Sequence, residues 1–159
     1  MYTLSALLRH NPTACARFSQ SNGWEILSSS LVDPSLPLRR KTVFLINSLF
    51  MNAVTDKEAK DLYLVPAQQA GVLDTVLKSL DAEQAVPAGP NGELEDIDLD
   101  YTEKAVQMML NVVQRTGSQG LTEEQRSKTK EIARRLNKEG KIPGDVAQEE
   151  WKAFIAALE

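Results

Sequence analysis

The residues most often used for acid–base and nucleophilic catalysis are scarce in this chain of 159 residues, which contains one histidine, His10, and one cysteine, Cys15. A Ser-His-Asp or Cys-His catalytic set would have to use His10. His10 ends a predicted helix, where the helix dipole favours a cation, so its position has an explanation without catalysis. Cys15 has no base beside it in the sequence and fits a packed thiol better than a nucleophile. We therefore expect no catalytic residues and a protein that is not an enzyme.

Carboxylates, the other common source of chemistry, are concentrated in one segment. Residues 81–103 contain eight acidic residues and no basic ones, together with two prolines and two glycines. Asp96, Asp98 and Asp100 alternate with aliphatic residues, but the glycine and terminal glutamate of a helix-loop-helix calcium site are missing. Weak calcium binding and a small enzyme that uses this loop are the less favoured interpretations. The segment predicts an acidic flexible loop over residues 82–100, and we expect no metal and no other cofactor.

The densest basic cluster, Arg39-Arg40-Lys41, falls in the first turn of a predicted helix. Positive charge there opposes the helix dipole by roughly a few tenths of a kcal/mol or more. Stability alone does not favour this placement, so the cluster is a mild indication of an acidic partner. Three flexible side chains that merely face water explain it equally well. Because Arg134 and Arg135 are bracketed by ordinary surface charges and the chain has no basic stripe, nucleic-acid binding is not predicted.

The composition is typical of one soluble globular domain, with 42% hydrophobic and 25% charged residues. A single cysteine excludes an intrachain disulfide and indicates a reducing compartment. The sequence has no apolar run of membrane-spanning length and no signal-peptide pattern. We therefore expect a cytoplasmic protein, with the nucleus as the other reducing compartment, and no membrane partner.

Hydrophobic periodicity predicts helices along nearly the whole chain and no convincing strand, and therefore an all-α fold. The predicted helix over residues 38–52 is apolar on nearly all sides, so it must be covered on more than one face. Local signals predict where helices begin and end. Asn11-Pro12 separates two helices, Gly23 and Gly71 each precede one, and Pro66 should end or kink another. Three cap pairs predict helix starts: Thr55 with Glu58, Thr122 with Gln125, and Asp145 with Gln148.

Two stretches of the sequence share one outline, which indicates an internal repeat. Gly23 and Gly71 stand 48 residues apart, each before a helix whose last apolar residue is followed by aspartate, and an upstream pair of leucines recurs at an offset of 41. Helical arrays with units of about 40–47 residues are a known class. We predict an armadillo- or HEAT-like α-solenoid of two to three repeats plus C-terminal helices, with an irregular bundle as the alternative. The predicted parts are armadillo-like repeats over 1–81, the acidic loop over 82–100, and a degenerate repeat with C-terminal helices over 101–159.

A resemblance to a known family covers residues 4–50, LSALLRHNPTACARFSQSNGWEILSSSLVDPSLPLRRKTVFLINSLF. This stretch resembles the later armadillo repeats of the fungal cytosolic nucleotide-exchange factors for heat-shock-protein-70 chaperones. The shared elements are the helix end ALLRHNP, a phenylalanine before Asn22-Gly23, the Asp-Pro turn and a helix opened by basic residues. Their order and spacing carry the resemblance, which is firm over about a third of the chain and loose over about half.

The resemblance implies a co-chaperone rather than an enzyme. Members of the family grip lobe II of the chaperone's nucleotide-binding domain with the concave face of the solenoid, which promotes release of ADP. The resemblance also implies that Arg39, Arg40 and Lys41 contact the chaperone, with Asn47 on the same helix as a weaker candidate. The alternative is a generic armadillo or HEAT adaptor that binds another partner, such as an acidic peptide, and has no exchange activity.

The chain departs from the family at its amino terminus. Members have a flexible segment and further repeats before the matched stretch, whereas this sequence starts within a repeat. Solenoid repeats bury their faces only against neighbours, so Leu4, Leu7 and Leu8 are expected to lack one. We expect either that the chain is a fragment or truncated product, or that self-association covers its open end. In both cases exchange activity depends on whether the missing repeats are dispensable.

Overall fold

The computed structural model describes residues 2–53, 55–81, 99–144 and 146–159. Of these residues 80% are helical and none lies in a strand, which confirms the all-α prediction. In chain order the helices are α1 (Tyr2–Leu8), α2 (Pro12–Gln20), α3 (Gly23–Ser30), α4 (Leu36–Met51), α5 (Asp56–Glu58), α6 (Val65–Gln69), α7 (Val72–Leu80), α8 (Leu99–Thr116), α9 (Glu123–Glu139) and α10 (Gln148–Ala157). A π-helical segment, Ala59–Leu64, joins α5 to α6, and a 3-10 turn, Ser118–Gly120, precedes α9.

The helices stack in two layers. In the first layer α4 packs against α1 on one side and, most extensively, against α8 on the other, and α10 packs on α8. The second layer runs from α3 through α7 to α9. The order of short helix, second-layer helix and first-layer helix occurs twice, first as α2, α3 and α4 and then as α5–α6, α7 and α8. This arrangement is that of an α-solenoid, and the predicted fold class is confirmed.

The predicted division of the chain into repeats, acidic loop and C-terminal part stays a prediction, and residues 82–98 of the loop lie outside the described residues. The charged helix α9 packs on the solenoid through its thin apolar stripe. Its Ile132 and Leu136 lie in one apolar cluster with Leu77 and Leu80 of α7, which α10 closes with an aromatic pair. This cluster extends the stack of helices beyond α7 and α8.

The helices α3 and α7 correspond at an offset of 49 residues, one more than the spacing of the two glycines predicts. Each begins directly after a residue in the left-handed conformation, Asn22 with φ of 56° and Gly71 with φ of 68°. Asparagine and glycine both tolerate this conformation, so different residues make the same turn. The buried positions agree with the offset, since they pair as Trp24 with Leu73, Leu27 with Val76 and Leu31 with Leu80.

Gly23 permits a close approach rather than a turn. A Cβ atom on this residue would lie 2.3 Å from Cε2 of Phe18. Without that atom the Phe18 ring covers the start of α3 and meets Trp24 edge-on, with ring centroids 5.7 Å apart and an interplanar angle of 75°. The indole N–H of Trp24 donates to Oγ of Ser19 at 3.0 Å. The lack of a side chain at Gly23 therefore allows α2 to pack closely on α3.

Capping residues begin α2 and α9 as the sequence predicts. Asn11 Oδ1 accepts a hydrogen bond from the backbone N–H of Ala14 at 3.0 Å, and Pro12 is the first residue of α2. At α9 the hydroxyl of Thr122 accepts from the backbone N–H of Gln125, while the Gln125 side chain accepts from the backbone N–H of Thr122. Both helices thus satisfy amide groups that a helix leaves without partners.

The helix after Thr55 is disturbed at Pro66 but does not end there. Thr55 Oγ1 caps it by accepting from the backbone N–H of Glu58 at 3.1 Å. A proline inside a helix lacks an N–H group and crowds the carbonyl four residues earlier. The π-helical turns of Ala59–Leu64, directly before α6, widen the helix at this point. The predicted cap residue of the last helix, Asp145, lies outside the described residues.

Helix α4 is buried on most of its circumference, as its composition predicts. Leu45, Ile46 and Leu49 are at most 1% exposed, because α1, α3 and α8 surround this helix. Two large apolar residues of α4 are exceptions, since Phe44 is 46% and Met51 is 53% exposed. Helix α4 thus forms the centre of the core and also presents one side to solvent.

Candidate functional site

The basic cluster spans the fourth to sixth residues of α4, which begins at Leu36, so only Arg39 lies in the first turn where the sequence predicts all three. The three cations have different surroundings. Arg39 is 5% exposed, and its guanidinium carbon lies 6.0 Å from the centroid of the Tyr101 ring. Arg40 is partly exposed, with Nε 3.5 Å from Oδ2 of Asp100. Lys41 is exposed and forms no ion pair with any residue that the structure describes. Successive helical residues are rotated by about 100°, so one cation of the cluster packs on the core and the next two reach solvent.

Arg40 and Lys41 line an open groove of about 250 Å³. The α4–α8 groove, as we name it, is lined by residues of three helices, Ser5 of α1, Arg40, Lys41, Phe44 and Leu45 of α4, and Asp100 and Lys104 of α8. The exposed Phe44 ring is a large apolar surface beside two cations. Aromatic and arginine side chains are the usual anchors of protein–protein interfaces, and the groove has this composition.

Asp100 compensates part of the positive charge in the α4–α8 groove. Its carboxylate contacts Nζ of Lys104, one helical turn further along α8, as well as Arg40. Asp100 and Lys104 are 46% and 31% exposed, so neither ion pair contributes more than about 1 kcal/mol to stability. Among the residues that the structure describes, three cations and one carboxylate line the groove, so this lining carries a net positive charge. Such a surface favours an acidic partner and accelerates its encounter with the chain.

Asn47 lies at the junction of the two helices that form the groove and is 6% exposed. Its Oδ1 accepts a hydrogen bond from Nδ2 of Asn111 on α8 at 2.7 Å. On the other side of α4, the hydroxyls of Ser5 and Ser48 are hydrogen-bonded at 3.1 Å. Since buried polar groups require partners, these bonds fix the register of α1, α4 and α8. Asn47 thus positions the groove walls, and the four predicted partner contacts stay predictions.

Phe44 and Lys104 also line the groove, although neither is among the predicted contact residues. Lys104 follows Asp100 by four residues, the spacing of an ion pair on a helix surface, so a local signal for this pair existed. No such signal marks Phe44, because α4 is apolar on nearly all sides in the sequence. Its exposure follows from the position of α8, which covers the neighbouring positions of α4.

His10 and Cys15 make contacts that are typical of structural and not of catalytic residues. The Cys15 thiol is 3% exposed and donates a hydrogen bond to the backbone oxygen of Leu8 at 3.2 Å. Burial raises the pKa of this thiol, which is the opposite of what a reactive thiolate requires. The imidazole Nδ1 of His10 lies 3.8 Å from Oε1 of Glu58. These contacts agree with the packed thiol and the helix-terminal histidine that the sequence predicts.

Metal ligation and membrane insertion receive no support from the described ranges. Within residues 2–53, 55–81, 99–144 and 146–159, no three side chains of His, Cys, Asp or Glu cluster in a way that could hold a metal ion. The same part of the chain contains no helix with the length and apolarity needed to cross a bilayer.

Comparison with known proteins gives two relevant matches, while no protein-family model matches the chain. A protein of Mycosarcoma maydis named Hsp70 nucleotide exchange factor FES1 is 59% identical over 51 residues, which are 32% of this chain and 13% of that protein. A protein of Cryptococcus neoformans with the same name is 28% identical over 142 residues, which are 82% of this chain and 37% of that protein. The matched residues thus span about an eighth of the first relative and little more than a third of the second. The resemblance to exchange factors of heat-shock-protein-70 chaperones is confirmed.

Proposed function

We propose that this chain is a co-chaperone module that binds the nucleotide-binding domain of a heat-shock-protein-70 chaperone and promotes release of ADP. The names of the two relatives support this function. The observation in the chain itself that carries the proposal is the α4–α8 groove, in which Lys41 has no ion-pair partner among the described residues and Phe44 is 46% exposed beside it. An unpaired cation next to an exposed aromatic ring provides both charge recognition and an apolar anchor for a partner.

The exchange mechanism requires a difference in affinity between two states of the partner. A protein that binds the open and closed forms of a nucleotide-binding domain equally well shifts nothing. The solenoid stacks α1, α4 and α8 side by side, so the groove is part of a rigid surface. A rigid surface fits one arrangement of two lobes better than another. We propose that contact with lobe II through this surface favours the open arrangement and thereby lowers the affinity for ADP.

The four predicted contact residues have two roles in this proposal. Arg40 and Lys41 meet the acidic surface of the chaperone directly, because both line the groove. Arg39 and Asn47 are at most 6% exposed, and they act by holding α4 against α8. Phe44 lines the groove with a 46% exposed ring and joins the contact residues as the apolar anchor.

Release of a fluorescent ADP analogue from a heat-shock-protein-70 chaperone tests the proposal, with binding to the isolated nucleotide-binding domain measured in parallel. We expect faster release with the chain than without it, and slower release when Lys41→Glu replaces the natural chain. Lys60→Glu is the matched control, because Lys60 is also exposed but lies outside the groove. Binding without faster release would leave a chaperone-binding module that lacks exchange activity. A chain that neither binds nor accelerates release would be an adaptor for another partner, and the proposal would be wrong.

We also propose that α1 is a stacking surface. Leu7 of α1 is 56% exposed, whereas Leu8, one position further, is 1% exposed. A second helical unit, supplied by another copy of this chain or by a neighbouring repeat, would bury Leu7. Sedimentation of the natural chain and of Leu7→Ser over a range of concentrations tests self-association, which the substitution should weaken. The proposed location is the cytoplasm, in keeping with the single free cysteine.

A further inference from the structure

A second cationic groove lies between α7 and α9, away from the α4–α8 groove. It has a volume of about 370 Å³. Five cationic side chains line it, Lys78 of α7 and Lys128, Arg134, Arg135 and Lys138 of α9. We name it the α7–α9 groove. It shares no residue and no helix with the α4–α8 groove.

The positive charge of the α7–α9 groove is only partly compensated. Lys128 is paired with Glu124, at 2.8 Å, while Arg134 lies 3.9 Å from Glu159 and Arg135 lies 3.9 Å from Asp81. Lys78 and Lys138, by contrast, are exposed and form no ion pair within the described part of the chain. They come from different helices, so the fold, and not a run of basic residues, brings them to one groove. This concentration of charge is notable in a chain whose net charge is −4.

The floor and walls of the groove indicate which kind of anion it suits. Leu77 and Ile132 also line it but are buried, so the apolar surface beside the charges comes mainly from the methylene stems of the lysines. Two carboxylates, Asp81 and Glu131, also line it. A nucleic acid or a lipid surface presents closely spaced phosphates, which the carboxylates would repel. An extended peptide can place separate acidic side chains on the cations and an apolar side chain on the lysine stems.

We propose that the α7–α9 groove binds an acidic peptide segment of a partner protein, in which Asp or Glu residues alternate with aliphatic ones. Lys78 and Lys138 are the cations that bind it, because both are exposed and neither forms an ion pair with a described residue. The lysine stems that surround Leu77 and Ile132 form the contact surface for the aliphatic side chain. This site is independent of the proposed exchange function, since none of its residues belongs to the α4–α8 groove.

Fluorescence anisotropy with the full chain and a labelled synthetic peptide of alternating Glu and Leu tests this proposal. We expect saturable binding that weakens as salt is raised, and about tenfold weaker binding when Lys78→Glu and Lys138→Glu are combined. Lys60→Glu is the charge-matched control and should bind like the natural chain. A peptide of alternating Lys and Leu should not bind. Circular dichroism of the double variant must show unchanged helix content, and Lys78→Ala with Lys138→Ala provides a milder pair if it does not.

Three results would overturn the proposal. The first is no binding of the acidic peptide at low salt. The second is an equal loss of binding in the Lys60→Glu control, which would show that overall charge and not the groove determines affinity. The third is tighter binding of a single-stranded oligonucleotide or of vesicles with phosphatidylserine than of the peptide, because the groove would then recognise phosphate.

Discussion

The neighbouring cations Arg39 and Lys41 should respond to substitution in opposite ways, because one lies in the core and the other in the α4–α8 groove. Arg39→Ala removes a side chain that is 5% exposed and stacked over Tyr101. Lys41→Ala removes an exposed side chain without an ion pair in the described ranges. We expect Arg39→Ala to lower the free energy of unfolding and Lys41→Ala to lower the affinity for the chaperone.

The loss of unfolding free energy in Arg39→Ala follows from the contacts of the Arg39 side chain. The substitution removes the Cγ and Cδ methylenes, since alanine keeps Cβ, and each contributes about 0.8 kcal/mol when buried. The cation–π contact with Tyr101 adds about 0.5–2 kcal/mol. In the natural chain the guanidinium group loses its hydration on folding, and this cost offsets part of the sum. A net loss of about 2 kcal/mol remains, which lowers the Tm of a domain of this size by about 4–8 °C. For Lys41→Ala we expect a change of unfolding free energy within about 0.5 kcal/mol.

Urea unfolding followed by tryptophan fluorescence measures the change of unfolding free energy in Arg39→Ala and in Lys41→Ala. The rate of ADP release, measured at a temperature where all variants are folded, reports the effect on function. Arg39→Met is the control that keeps the apolar stem without the charge, and we expect it to recover more than half of the lost stability. The reasoning is refuted by an equal loss of stability in Lys41→Ala and Arg39→Ala. It is also refuted by slower ADP release in a fully folded Arg39→Met sample together with unchanged release in Lys41→Ala.

Three further predictions concern the scaffold. Gly23→Ala should cost about 1–3 kcal/mol, because its Cβ meets the Phe18 ring at 2.3 Å; the cost should largely vanish in a Phe18→Ala background, as a double-mutant cycle in urea would measure. Asn111→Ala should cost about 1–3 kcal/mol, since it leaves the buried Asn47 carbonyl without its donor; a smaller loss in the Asn47→Ala, Asn111→Ala double variant would confirm this cause. Burial raises the pKa of Tyr63 to about 12, above the unfolded value of about 10, so its stabilising contribution is present below pH 10 and lost as the pH rises through about 12. Alkaline unfolding curves should therefore flatten in Tyr63→Phe, and identical curves would contradict the assignment.

The parts of the fold that the sequence predicted depend on local chemistry. Asn11-Pro12 and the pair Thr122 with Gln125 determine helix starts through bonds that span at most three residues. The two glycines are 48 residues apart, whereas α3 and α7 correspond at an offset of 49, because Gly71 and Gly23 have different roles. Asn22 makes the turn before α3, since asparagine also adopts the left-handed conformation. Gly23 instead allows the Phe18 ring to pack closely against the backbone. Composition alone does not distinguish these two uses of glycine.

The candidate site was less predictable because long-range packing decides which side chains face a partner. The sequence marked Arg39, Arg40 and Lys41 as one cluster. Their separation follows from Tyr101, which stands beyond the acidic segment and packs against Arg39. The α7–α9 groove is not predictable from the sequence for the same reason, since one of its two exposed lysines without an ion pair in the described ranges, Lys78, comes from another helix than Lys138. A solenoid makes surfaces from residues that are distant in sequence, so local charge patterns identify its faces only in part.

The separation of the two grooves has a consequence for how such a module gains affinity. Each groove contains partly exposed charges, and contacts of that kind contribute little individually. Because the grooves share no helix, a partner in one leaves the other open, and substitutions in the two should act additively on separate ligands. A partner that presents both an acidic domain surface and an acidic peptide would occupy both grooves, and the second contact would form at a high effective concentration. The affinity for that partner would then exceed what either groove provides, while each groove alone stays weak enough to release it.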